Sequence, residues 1–140
     1  MQGYTAWRTP AIWKKGDEGH SPWGRGGFVR VYEMFMLLTK GAKELKGGGP
    51  DIKDFKRPAR SERSHAAEKP SALLTHLLTL AGDPGDLILD PCCGSGPILE
   101  AATSCRMTAT AIELDAHYHN LACARLVKDE AVPVEVDALT

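Results

Sequence analysis

No stretch of this chain stays apolar long enough to cross a bilayer, no two cysteines stand as Cys-x-x-Cys, and no two prolines are adjacent. The first absence, with an amino terminus that has no signal-peptide pattern, leads to the expectation of a cytoplasmic protein. The second argues against a zinc site. The cysteines at 92, 93, 105 and 123 include an adjacent pair that no zinc spacing uses, so no metal is expected and the four read as buried free thiols in a reducing compartment. Charge of one sign is also lacking: the net charge is −1 over 140 residues, which does not advertise a nucleic-acid binder. A hydrophobic content of 43% is enough for one modest core.

The balance hides an asymmetry. From Lys40 to Lys69 there are nine Lys or Arg against five Asp or Glu. This segment is either a solvated loop or a phosphate-contacting surface, and Lys53, Lys56, Arg57, Arg60 and Arg63 are its candidate nucleic-acid contacts.

The most informative stretch is Asp86-Leu87-Ile88-Leu89-Asp90-Pro91-Cys92-Cys93-Gly94-Ser95-Gly96. Leu87 to Leu89 read as a strand buried on both faces, Asp90 as its carboxyl end, and Gly94 and Gly96 as a turn that lets the main chain pass close to a ligand before a helix starts near Pro97. Ala111-Ile112-Glu113-Leu114-Asp115 repeats the pattern, with Glu113 seventeen residues after Gly96. An acid at that separation suits a ribose hydroxyl pair.

Thr9 to Lys15 and Phe28 to Lys40 are β-like, joined by a Gly- and Pro-rich seam. Gly41 to Ala67 reads as a long loop. From Pro70 the pattern alternates. A helix ends at Gly82 with Leu73, Leu74, Leu77, Leu78 and Ala81 on one stripe; strands follow at Leu87–Asp90 and Thr108–Glu113, with helices from about Pro97 to Ser104 and Ala116 to Lys128. Val132 to Val136 is an edge strand or a frayed tail. Such alternation predicts an α/β fold with parallel strands.

Asp90-Pro91-Cys92-Cys93-Gly94-Ser95-Gly96 resembles the Asp-Pro-Phe-Cys-Gly-Ser-Gly motif of S-adenosylmethionine-dependent DNA amino-methyltransferases of the permuted type. His65-Ala66-Ala67-Glu68-Lys69-Pro70 is similar to that family's His-Pro-x-Glu-Lys-Pro. Ala111 to Asp115, with Tyr118 and Ala124-Arg125-Leu126, resembles its second strand and following helix. Gly3-Tyr4, Ile12 to Lys15 and Tyr32 to Gly41 resemble its two late strands. The resemblance implies a Rossmann-like methyltransferase sheet in a single partial domain spanning 1–140: late strands in 1–40, a basic loop in 41–67, and cofactor-binding strand-helix units in 68–130.

It also implies S-adenosyl-L-methionine as cofactor and DNA as partner. Lys69, Asp90, Cys92, Gly94, Ser95, Gly96 and Glu113 are the implied cofactor residues. Gly94 and Gly96 would bring backbone amides to the methionine carboxylate, Asp90 would face the amino or sulfonium side, and Glu113 would accept both ribose hydroxyls. Plainer roles stand beside these: Asp90 as a cap of the next helix, Glu113 as a solvated strand end, Lys69 as a surface cation. Cys92 replaces the family's aromatic, Pro97 takes the first helical position, and Ala66 replaces a proline.

The absent Pro-Pro now matters. The family holds its flipped base with Asp-Pro-Pro-Tyr or Ser-Pro-Pro-Tyr, and these 140 residues contain neither, so no catalytic residue is assigned and the central catalytic strand of the sheet is expected to be missing. A sheet without it exposes unpaired edges, filled by a second chain or segment, by a homo-oligomer, or by the late strands sliding in. Three readings follow: a DNA methyltransferase or its cofactor-binding half, a non-catalytic remnant, and an interaction module with a merely structural glycine turn.

Overall fold

The computed structural model describes residues 3–16, 21, 26–41, 43–47, 49–59, 64, 67–128 and 135–138. The chain forms two compact units, Met1–Arg57 and Pro58–Thr140.

In the first unit, β2 (Ala11–Lys14) lies between β3 (Tyr32–Phe35), antiparallel to it, and β5 (Ile52–Asp54), parallel to it. A separate pair joins β1 (Tyr4–Ala6) to β4 (Leu38–Lys40), antiparallel. The expected continuous β run from Phe28 to Lys40 is therefore broken after Phe35, and its two pieces serve different sheets. The expected loop from Gly41 to Ala67 is also corrected. It contributes β5, whose ladder is extended by Ile12 N–H to Asp51 O (2.8 Å) and Phe55 N–H to Lys14 O (3.1 Å). Ile52-Lys53-Asp54 has no apolar period to announce a strand; what orders it is main-chain pairing to β2, some forty residues away. Trp13 anchors this unit, 2% exposed, with its indole N–H on Phe55 O at 2.8 Å.

The second unit carries the larger core. Three parallel strands run in the order β6 (Leu87–Asp90), β7 (Thr108–Glu113), β8 (Glu135–Ala138). Helices α1 (Ser71–Ala81), α2 (Pro97–Ser104) and α3 (Ala116–Lys128) alternate with them. Ala109 and Ala111 of β7 are fully buried, small enough for close helix packing, and they join Ile98, Leu99, Ala102, Met107 and Ala122 in one cluster. The helix boundaries expected from Pro97, Gly82 and the apolar stripes are those observed. The carboxyl-terminal strand is real, at 135–138; residues 132–134 lie outside the described set.

One expectation fails. Leu87 and Leu89 are 71% and 64% exposed, so β6 is not buried on both faces. Side chains alternate along a strand, and only Ile88 turns toward the core cluster. Among the described residues of the second unit β6 pairs with β7 alone.

Candidate functional site

Two adjacent strands, β6 and β7, each end on an acid. Asp90 pairs with Ala111 in register, so β7 runs two residues further and ends on Glu113. The turn at 91–96 folds back onto that end: Cys93 N–H donates to Ile112 O (3.0 Å) and Gly94 N–H donates to Glu113 Oε2 (2.7 Å). Glu113 Oε1 accepts the Asp115 N–H at 2.9 Å. Two backbone donors thus fix the carboxylate while leaving it lone pairs for two further donors. It is not a loosely solvated strand end.

Asp90 Oδ1 accepts the Cys92 N–H at 3.1 Å, a turn within its own loop. It does not cap α2, whose start at Gly96 has no side-chain cap. Asp115, by contrast, is the cap of α3, accepting from His117 N–H (2.8 Å) and Tyr118 N–H (3.2 Å).

The two glycines do different work. Gly94 has φ +57°, and a Cβ there would meet nothing within 4 Å. Gly96 has φ +80°, and a Cβ there would sit 2.9 Å from both Ala122 Cβ and Leu99 Cδ1. Gly96 is therefore required where α2 packs on α3. The two glycines' own amides are taken within the turn: Gly94 N–H donates to Glu113 Oε2, and Gly96 N–H donates to Cys93 O at 3.0 Å. A different donor stands out. Ser95 is 1% exposed, and its hydroxyl has no hydrogen-bond partner among the described residues.

A cavity of about 260 Å³ opens beside the turn. Asp90, the turn residues Cys92 to Ser95 and Pro97 form one wall; Ala67, Glu68, Lys69 and Leu74 form the other. Lys69 lines it, with its ammonium donating to Ala67 O at 3.0 Å. Glu113 stands behind the turn, one hydrogen bond from Gly94. Burial, helped by the negative charges of Asp90 and Glu113, pushes the Cys93 thiol up to about 11. Cys105 is likewise buried and raised. Cys92 corrects the expectation of four buried thiols: it is exposed, at the cavity wall.

Sequence reasoning missed the network behind the second wall. Arg125 of α3 bonds Glu68 (2.5 Å) and Glu100 of α2 (2.6 Å), and Ser71 donates to the same Glu100. Partners 57 and 25 residues apart leave no local signal. Of the nucleic-acid candidates, Lys56 and Arg57 are exposed and Lys53 is half-buried, all in the first unit; Arg60, Arg63 and the motif residue His65 lie outside the described residues.

A family model described as DNA methylase matches residues 50–124. Solved structures share the fold. The crystal structure of M1.HpyAVI with SAM superposes with a TM-score of 0.70 at 23% identity, over 89% of this chain and 63% of that one. A DNA modification methylase of Thermus thermophilus, TTHA0409, gives 0.59 at 24%, over 96% and 61%; its complex with S-adenosyl-L-methionine gives 0.58 at 23%, over 99% and 60%. The chain thus spans about three fifths of the length of the structures it matches.

Proposed function

The chain belongs to the DNA methylase family, and on that premise we propose that it is the cofactor-binding portion of an S-adenosylmethionine-dependent methyltransferase acting on the exocyclic amine of adenine or cytosine in DNA. The observation that carries this reading is Glu113, held by the Gly94 and Asp115 amides at the tip of β7 with acceptor capacity to spare.

The residues present fit the cofactor. The orphan Ser95 hydroxyl supplies a buried donor for the methionine carboxylate, the space over Gly94 leaves room for the ligand, and Glu113 accepts the ribose hydroxyls. A cavity of about 260 Å³ lies just below the range of about 300–1,000 Å³ usual for ligand sites, as suits a pocket walling only part of the molecule. When bound, S-adenosylmethionine supplies an electrophilic methyl group on its sulfonium. Asp90, at the cavity wall, offers a carboxylate to the cationic amino or sulfonium side. Lys69 and Glu68 close the opposite side.

The base-holding tetrapeptide and the central strand come from a second segment or chain, since a homo-oligomer of a chain without Pro-Pro could cover the open sheet edges but not supply that motif. Exposed Lys56 and Arg57, with Lys53, Arg60 and Arg63, contact DNA phosphates without reading sequence. The missing Pro-Pro also favours a second reading, a binder of the cofactor that performs no chemistry. Incubation with methyl-labelled S-adenosylmethionine and unmethylated DNA, with and without a relative's segment carrying Asp-Pro-Pro-Tyr, separates them. Label on adenine or cytosine amines in the complemented reaction supports the methyltransferase; cofactor binding without transfer in either reaction supports the second.

A further inference from the structure

Arg125 does not line the cavity, yet it joins the elements that do. Its side chain is 18% exposed and divides its guanidinium between two carboxylates from different elements: Nη2 to Glu68 Oε1 at 2.5 Å and Nη1 to Glu100 Oε1 at 2.6 Å. Glu68 sits in the strip that forms one wall of the cavity, its side chain only 7% exposed, and its other oxygen accepts the Ser64 N–H at 2.8 Å. Glu100 lies in the first turn of α2, the helix that springs from the opposite wall, and its second oxygen accepts from Ser71, the first residue of α1. One planar fork therefore ties both walls to α3.

We propose that Arg125 is a positioning residue: a two-carboxylate clamp that fixes the Ala67–Lys69 wall against the glycine turn and so sets the width of the cofactor cavity. The inference rests on the cofactor reading of that cavity. A fork with five fixed donors can hold both acids at once, whereas an ammonium is a point charge that holds one well. Arg125→Lys keeps the charge beside buried Glu68 and so spares folding, but it releases one wall. Arg125→Met with Glu68→Gln removes both buried charges, which restores folding without restoring the tie.

The test reads two quantities on the whole chain: the dissociation constant for S-adenosylmethionine, and deuterium uptake of the peptide containing Ala67 to Lys69. Arg125→Lys is expected to unfold near the wild-type temperature, bind about tenfold more weakly and exchange faster in that peptide. The double variant is expected to show the same weak binding and fast exchange. Wild-type affinity and wild-type exchange in either well-folded variant would overturn the clamp. Should the wild type take no cofactor, the functional reading fails; exchange then decides the clamp alone, unchanged uptake overturning it and faster uptake upholding the tie.

Discussion

Glu113 and Cys93 show what single side chains do here. Each hydrogen bond to a charged group is worth about 1.5–3 kcal/mol, so losing two ribose bonds at Glu113 should weaken S-adenosylmethionine binding at least about a hundredfold. Glu113→Ala also strands the Gly94 and Asp115 amides, though both sit near solvent, so the stability loss should stay near about 1–2 kcal/mol. Chemical denaturation alongside titration checks both numbers. Cys93 gives a pH prediction. Its thiol ionises at about 11 when folded against 9.0 in the open chain. Between those values the unfolded chain has lost a proton that the folded chain keeps, so stability is full below pH 9 and falls as pH rises, by about 2–3 kcal/mol at pH 11. Cys93→Ala should flatten that part of the stability profile. Asp90 and Glu113 were legible at this scale, because an acid at a strand tip beside a glycine turn is a local pattern. Ser95 was legible only by its place in the motif, since nothing in the sequence tells that its hydroxyl is buried without a partner.

At the scale of elements, the glycine turn and the helix behind it separate into binding and packing. Gly94→Ala puts a methyl into open space at φ +57°, a cost of about 1–2 kcal/mol, and should fold while losing cofactor as the methyl enters its room. Gly96→Ala drives a methyl to 2.9 Å from Ala122 and Leu99 at φ +80°, and should cost more, about 2–4 kcal/mol, by strain and overpacking. Thermal unfolding of the two variants decides whether their roles differ as assigned. The alternation from Ser71 to Lys128 was readable because Pro and Gly punctuate apolar stripes of helical period there. β5 was not, because three residues with one apolar side chain become a strand only through pairing with β2. The break between β3 and β4 was hidden in the same way: Met36 and Leu37 continue the β-forming composition, and which partner each half takes is decided far along the chain. The Glu68–Arg125–Glu100 tie needs three elements to be folded before it exists.

For the whole molecule, β6 leaves an apolar face uncovered among the described residues. Burial of Leu87 and Leu89 was expected from their composition, but a strand's second face is buried only if something packs on it, and at 71% and 64% exposure nothing among the described residues does. The solved structures it matches have roughly two fifths of their own length beyond the part this chain covers. Leu89→Lys should accordingly leave cofactor binding intact and abolish association with the complementing segment, or with a second copy, in sedimentation; unchanged association would place the contact elsewhere. The central claim is that the turn at 91–96 and Glu113 together form a cofactor site. The most direct measurement is calorimetric titration of the purified chain with S-adenosylmethionine beside the Glu113→Ala variant. The account predicts saturable binding at one site per chain, weakened at least about a hundredfold in a variant that remains folded. No heat of binding in the wild type, or equal affinity in the two, would contradict it.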